Sequence, residues 1–191
     1  FYNGDVLPQN NIIVDVDYAG LPTIYFRLSS DDIGQDESNG TMESPYTLPL
    51  NPNDWDVSNV TNMEEMFEQA PRFNHPIGGW NVSRVENMSG MFSKSTSFNQ
   101  PIGGWDVSNV KNMSGMFSEA TDFNQPLGGW IVSDVENMSA MFMEAISFNQ
   151  PIGGWVVSDV ENMSFMFRGA RSFNQPIGDW DVSNVKSMSF M

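Results

Sequence analysis

The chain has 191 residues and a formal net charge of −16, from 24 acidic and 8 basic side chains. So acidic a field repels phosphate backbones and anionic headgroups, which argues against nucleic acid and charged membrane surfaces as partners. Cysteine is absent, which removes disulfides, thiolate metal sites and cysteine nucleophiles, and no apolar run approaches the roughly 18 residues of a membrane span.

The sequence opens on Phe1 and reads as a processed product or a fragment, with no signal peptide left in it; as it stands the chain is expected to be soluble. Residues 1–47 carry eight acids and one base. Within them "NNIIVDVDYAGLPTIYFRLSS" alternates Val14, Val16 and Tyr18 with Asp15 and Asp17. This predicts strands over 12–18 and 23–28 around a Gly-Leu-Pro turn. The polar run "SSDDIGQDESNGTMESP" then reads as a loop or linker. Asp31, Asp32, Asp36 and Glu37 offer the oxygen ligands calcium takes, but their spacing fits no standard calcium loop. The segment 1–47 is expected to be a β-rich cap on the rest of the chain, or a strand donated to another copy, with an acidic linker.

From residue 48 one string recurs. Tryptophan falls at Trp55, Trp80, Trp105, Trp130, Trp155 and Trp180, every 25 residues. A period of 20–50 residues marks a stacked-repeat architecture, and a propeller blade needs about 40, so 25 points to one coil of a solenoid. Coils 1 to 5 span 48–72 to 148–172, and coil 6 runs from 173 to 191.

Within a coil, "FNQPI" predicts a short extended segment, since the proline biases Gln100 toward an extended backbone. "GGW" predicts a turn in which Gly103 and Gly104 take angles other residues avoid. Val107, Val110, Met113, Met116 and Phe117 then recur at helical spacing, with Ser108 as N-cap. The expected fold class is α/β: a solenoid of 25-residue coils, each a short strand, a turn and a short helix, over 48–191. The tryptophan column is expected to be core. The asparagines after each phenylalanine (Asn74, Asn99, Asn124, Asn149, Asn174) and before each first methionine (Asn62, Asn87, Asn112, Asn137, Asn162) are expected to form internal ladders. There, stacked amides would satisfy one another and nearby backbone groups.

No nucleophile elbow, P-loop or zinc spacing appears. The single histidine, His75, stands where other coils have Gln and is read as a register substitution. The adjacent Glu64 and Glu65 have no second pair in register. No enzyme, cofactor or metal site is expected. Of the sequons, Asn39 in the polar loop is the best glycan acceptor, followed by Asn81 and Asn59. Late coils gain apolar groups: Ile131 and Val156 follow tryptophan where other coils carry Asp or Asn, and Phe165 and Phe190 occupy a position that reads Glu65, Gly90, Gly115 and Ala140 earlier. With Met143 and Ile146 they are the candidate partner-binding residues.

The string "WDVSNVKNMSGMF" resembles the repeats of BspA-like leucine-rich-repeat surface proteins, which carry a similar D-x-S-N-V-x-x-M-x-x-M-F run. The likeness covers 48–191. It departs from that family in having "FNQPIGGW" where leucines are usual and no cysteine after "MF". The resemblance implies a right-handed leucine-rich-repeat-like solenoid at a microbial cell surface or outside the cell, acting in adhesion, partner binding or coating. The expected function is therefore a non-enzymatic extracellular repeat protein that presents a surface to a protein or glycan. The alternative is a structural subunit of a head-to-tail homopolymeric filament, with copies of itself as partners.

Overall fold

A computed structural model describes residues 12–16, 22–26 and 52–191. Two strands, β1 (Ile12–Val16) and β2 (Pro22–Phe26), pair antiparallel from Ile12 opposite Phe26 to Val16 opposite Pro22. Both lie where the apolar–polar alternation predicts them. Asn39 and the acids Asp31, Asp32, Asp36 and Glu37 lie outside the described residues.

The repeats stack as coils. Equivalent residues of successive coils form parallel single-residue bridges, from Asn62 with Asn87 through to Asn162 with Ser187. The coils themselves hold neither strand nor α-helix. Among the described residues of 52–191, one 3₁₀ turn, Pro52–Asp54, is the only helical element. The α/β reading, with a strand and a helix in each coil, is therefore overturned.

The reason lies in where the backbone N–H groups go. In coil 1, Met63, Glu65, Phe67 and Gln69 donate to the carbonyls of Asn87, Ser89, Met91 and Ser93, each at 2.8 Å. Every second N–H thus leaves for the next coil. The intervening Met66, Glu68 and Ala70 close tight turns onto Met63, Glu65 and Phe67. Glu64 N–H bonds Asn62 Oδ1 at 2.9 Å. An α-helix would need these N–H groups for carbonyls four residues back. The spacing of three between inward residues comes instead from a string of β-turns, each bringing residues i and i+3 together. Val57–Val60, Met63–Met66 and Ala70–Phe73 are such pairs.

The turns impose their own backbone demand. Glu65 and Gln69 have φ of 55° and 57°, and the same two positions are left-handed in later coils. A β-turn of type II needs positive φ at its third residue. That is why Gly90 and Gly115 stand in the column of Glu65, which the helical reading could not explain. The "GG" pair behaves otherwise, and neither glycine has positive φ. A Cβ on Gly103 would overlap the carbonyl oxygen of Pro126 in the next coil, whereas Gly104 faces open space. The first glycine is needed for close approach, not for its angles.

The core is a set of columns. The repeat's Trp, Val, Met and Phe positions are buried in coils 1 to 4 against their equivalents above and below, whereas in coil 6 Val182 and Met188 are exposed. The second phenylalanine of each coil stacks on the first of the next, as Phe92 does on Phe98 with centroids 3.8 Å apart. Between coils Phe67 faces Phe92 at 5.5 Å and Trp80 faces Trp105 at 6.2 Å. Among the described residues no buried side-chain polar atom lacks a partner.

Candidate interaction surfaces

Three polar features fix each coil on the previous one. The first is an amide ladder. Asn99 Oδ1 accepts from Asn124 N–H at 3.0 Å and from Gln125 Nε2 at 3.0 Å, and the same pattern links Asn74, Asn124 and Asn149 to their successors. His75 stands at the ladder's first described rung, beside the Phe73 ring at 5.7 Å. The second amide set works differently. Asn87, Asn112, Asn137 and Asn162 each accept from the N–H two residues on, at 3.0 Å. Their backbones form the inter-coil bridges while their side chains serve local turns. The third feature is the indole N–H, which donates to a backbone carbonyl of the preceding coil.

A corner precedes each bridge, over the residues between Trp and Asn. In coil 3 Asp106 accepts from the Ser108 N–H at 3.2 Å and its hydroxyl at 2.7 Å. Asp56, Asn81 and Asp181 make the same turn in coils 1, 2 and 6. These bonds, the hydroxyl contact first, hold the carboxyls of Asp56, Asp106 and Asp181 below the usual aspartate value. Asn109 Nδ2 also donates to the Ser83 carbonyl at 2.7 Å, and Asn184 does the same to Ser158. Lys111 lies 3.8 Å from Glu86.

Coils 4 and 5 abandon the first two of these corner contacts. Their corners read "IVSDVENM" and "VVSDVENM" where coil 3 reads "DVSNVKNM". Ile131 and Val156 cannot accept the serine N–H. Asp134 and Asp159 cannot donate to the preceding coil, and their carboxylates take the neighbouring Ser133 and Ser158 hydroxyls instead. Glu136 and Glu161 replace the lysine. Each lost bond forgoes about 0.5–1.5 kcal/mol, the low end applying at an exposed site. Ile131 is left 62% exposed and Val156 59%. The two corners are neighbours, for Glu161 N–H donates to the Glu136 carbonyl at 2.8 Å.

The other apolar candidates lie elsewhere. Phe165 and Phe190 occupy the left-handed column, at φ of 61° and 54°. Their rings stack at 5.3 Å, with the Arg168 guanidinium 5.8 Å from the Phe165 ring. Phe190 is 75% exposed, whereas Phe165 and Met143 are half-buried. Ile146, 38% exposed, belongs to a separate edge where its carbonyl accepts the Ser172 N–H at 3.2 Å. The six candidates are thus divided among three parts of the surface and form no single patch. A shallow trough of about 390 Å³ runs over coils 1 to 4, floored by Ser89, Gly90, Ser114 and Gly115 and bounded by Glu64, Glu65 and Glu68. Glu64 is tied down by Ser89 Oγ at 3.1 Å and Asn87 Nδ2 at 3.3 Å, so it acts as a brace.

Of the glycan candidates within the described residues, Asn81 is exposed and Asn59 half-buried, the latter accepting from Arg84 at 2.6 Å. The acids Asp134, Glu136, Asp159 and Glu161 were missed by sequence reasoning. Aligning the six corners finds them, since two positions change together in coils 4 and 5 alone and a third is Glu in both. No described helix is long and apolar enough to cross a membrane.

No curated protein and no solved structure matches the chain. Residues 41–145 and 102–191 both match one family profile, described as "Mycoplasma protein of unknown function, DUF285". Those overlapping matches span the whole repeat array, and the chain belongs to that family.

Proposed function

We propose that this chain is a non-enzymatic extracellular repeat protein that presents a surface for adhesion and protein–protein interaction. The observation that carries the reading is the pair Ile131 and Val156. These are large apolar side chains on adjacent coils, both more than half exposed, at a position where neighbouring coils keep a turn-forming acid or amide. The repeat backbone acts as a ruler with a common buried set. Individuality is concentrated in side chains that face solvent, as expected of a scaffold that displays groups to a partner. The likeness of "WDVSNVKNMSGMF" to BspA-like surface repeats supports the placement outside the cell.

The test is binding of the labelled chain to intact cells and to immobilised extracellular matrix proteins, together with its mass by light scattering across a dilution series. Saturable binding, competed by unlabelled chain and accompanied by a constant monomer mass, is the expected result. Absence of saturable binding, with mass growing steadily with concentration, would replace this reading with a self-assembling structural subunit.

A further inference from the structure

We propose that the paired corners of coils 4 and 5 form a docking surface for a cationic, partly apolar segment of a partner protein. The proposal rests on the reading of the chain as a display surface and names the chemistry of what that surface takes.

Three positions are exchanged in each corner, and they are exchanged the same way. An Asx-turn residue becomes Ile131 or Val156, a donor amide becomes Asp134 or Asp159, and a lysine becomes Glu136 or Glu161. The first two exchanges give up bonds that a neighbouring coil makes, the turn of Asp106 and the tie from Asn109 to Ser83; the third puts a carboxylate where coils 3 and 6 have lysine, as Glu86 does in coil 2. Internal packing offers no compensation, because all six side chains are exposed and the residues between them keep the common core pattern. What the exchanges create is a solvent-facing apolar pair flanked by four carboxylates. Among the described residues one ion pair forms there, between Lys186 and Glu161 at 2.6 Å. Corners 3 and 6 keep one acid and one lysine each, so the field is local to two coils.

An apolar pair selects apolar contact, and carboxylates around it select cations and reject anions. A lysine- or arginine-bearing segment with an apolar residue between its charges meets both demands. A second copy of this chain, with a net charge of −16, carries the same sign as these carboxylates.

The experiment uses the whole chain and a short synthetic peptide alternating lysine and leucine, followed by fluorescence anisotropy at physiological salt. Peptides alternating lysine with glycine and glutamate with leucine serve as controls. The decisive variant is Ile131→Asp with Val156→Asp, which puts at this position the residue that coils 1, 3 and 6 carry there. It adds two negative charges. Simple charge attraction predicts tighter binding, whereas the docking surface predicts binding at least about tenfold weaker. Asp134→Asn with Asp159→Asn and Glu136→Lys should also weaken it by about tenfold. Equal binding of the lysine–glycine peptide, or binding unchanged or tightened in the first variant, overturns the proposal. So does a concentration-dependent mass that the first variant abolishes, because the occupant is then another copy. If the whole chain binds cells but neither variant affects that binding, the corner is wrong and the display reading stands. If the peptide results hold but the chain binds no cell or matrix protein, the display reading is what fails.

Discussion

The indole N–H of Trp105 donates to the carbonyl oxygen of Ile77 in the preceding coil at 3.2 Å. The same oxygen accepts the N–H of Trp80 at 3.1 Å, so one carbonyl joins a turn of its own coil to the core of the next. Trp80, Trp130, Trp155 and Trp180 repeat the contact to Pro52, Ile102, Leu127 and Ile152. Trp105→Phe should cost about 1–2 kcal/mol, from the lost hydrogen bond and some volume. Trp105→Ala should cost about 3–5 kcal/mol. Denaturant midpoints measure both, and a Trp105→Phe variant as stable as the parent would deny the indole N–H a part.

Gly103 and Gly104 are adjacent but should respond differently to the same change. Gly103→Ala drives a Cβ into the Pro126 carbonyl, a backbone atom that cannot step aside, and should destabilise by about 1–3 kcal/mol. Gly104→Ala meets nothing within contact distance and should be neutral, or stabilising by about 0.4–1 kcal/mol through the unfolded chain. Thermal melts of the two single variants decide.

Ala140 sits at φ 54° in the column where coils 2 and 3 place Gly90 and Gly115. An L-residue there costs roughly 1–2 kcal/mol, partly offset by the entropy glycine loses on folding. Ala140→Gly should therefore stabilise by about 0.5–1 kcal/mol. Gly115→Val should destabilise by about 1–3 kcal/mol. A stabilising Gly115→Val would show that the column is not held left-handed in solution.

Asn99 takes part in the ladder as an acceptor, through its Oδ1 to Asn124 N–H and Gln125 Nε2. Asn99→Ala removes the acceptor of the Asn124 N–H, while Gln125 Nε2 keeps the Asn99 carbonyl at 3.0 Å, and should cost about 1–3 kcal/mol. Asn99→Asp keeps an oxygen in place and should cost less at neutral pH. The comparison, made by chemical denaturation at about pH 7, tests whether geometry or the amide itself matters.

The corner aspartates predict acid sensitivity. Asp106 is held below the usual value of 3.8 in the folded chain by its bonds to Ser108. A depressed folded value means that the group's stabilisation is present above 3.8 and is lost as pH falls through the lower folded value. Melting temperature should therefore fall on acidification below about pH 4. Asp106→Asn should melt like the parent at neutral pH, since Asn81 makes the same turn at 3.2 Å, and should lose less on acidification. A parallel fall in both proteins would assign the acid sensitivity to other groups.

The sequence by itself determined the period, the core columns and which residues vary. Those follow from composition repeated at a fixed interval, because 25-residue units that stack in register must bury the same positions. Trp105, Phe117 and Met113 are buried for that reason. The backbone was decided only in the tertiary structure. A spacing of three serves a helical face and a chain of β-turns equally well, and Val107, Val110, Met113 and Met116 satisfy both. What selects the turns is the departure of alternate N–H groups, Met113, Gly115 and Phe117 among them, to carbonyls of the next coil. Those carbonyls lie about a full repeat away, beyond the reach of a local pattern. The same holds for the surface. Ile131, Met143 and Ile146 are near neighbours in sequence, yet a coil that turns every three residues sends them to a corner, a bridged face and a separate edge.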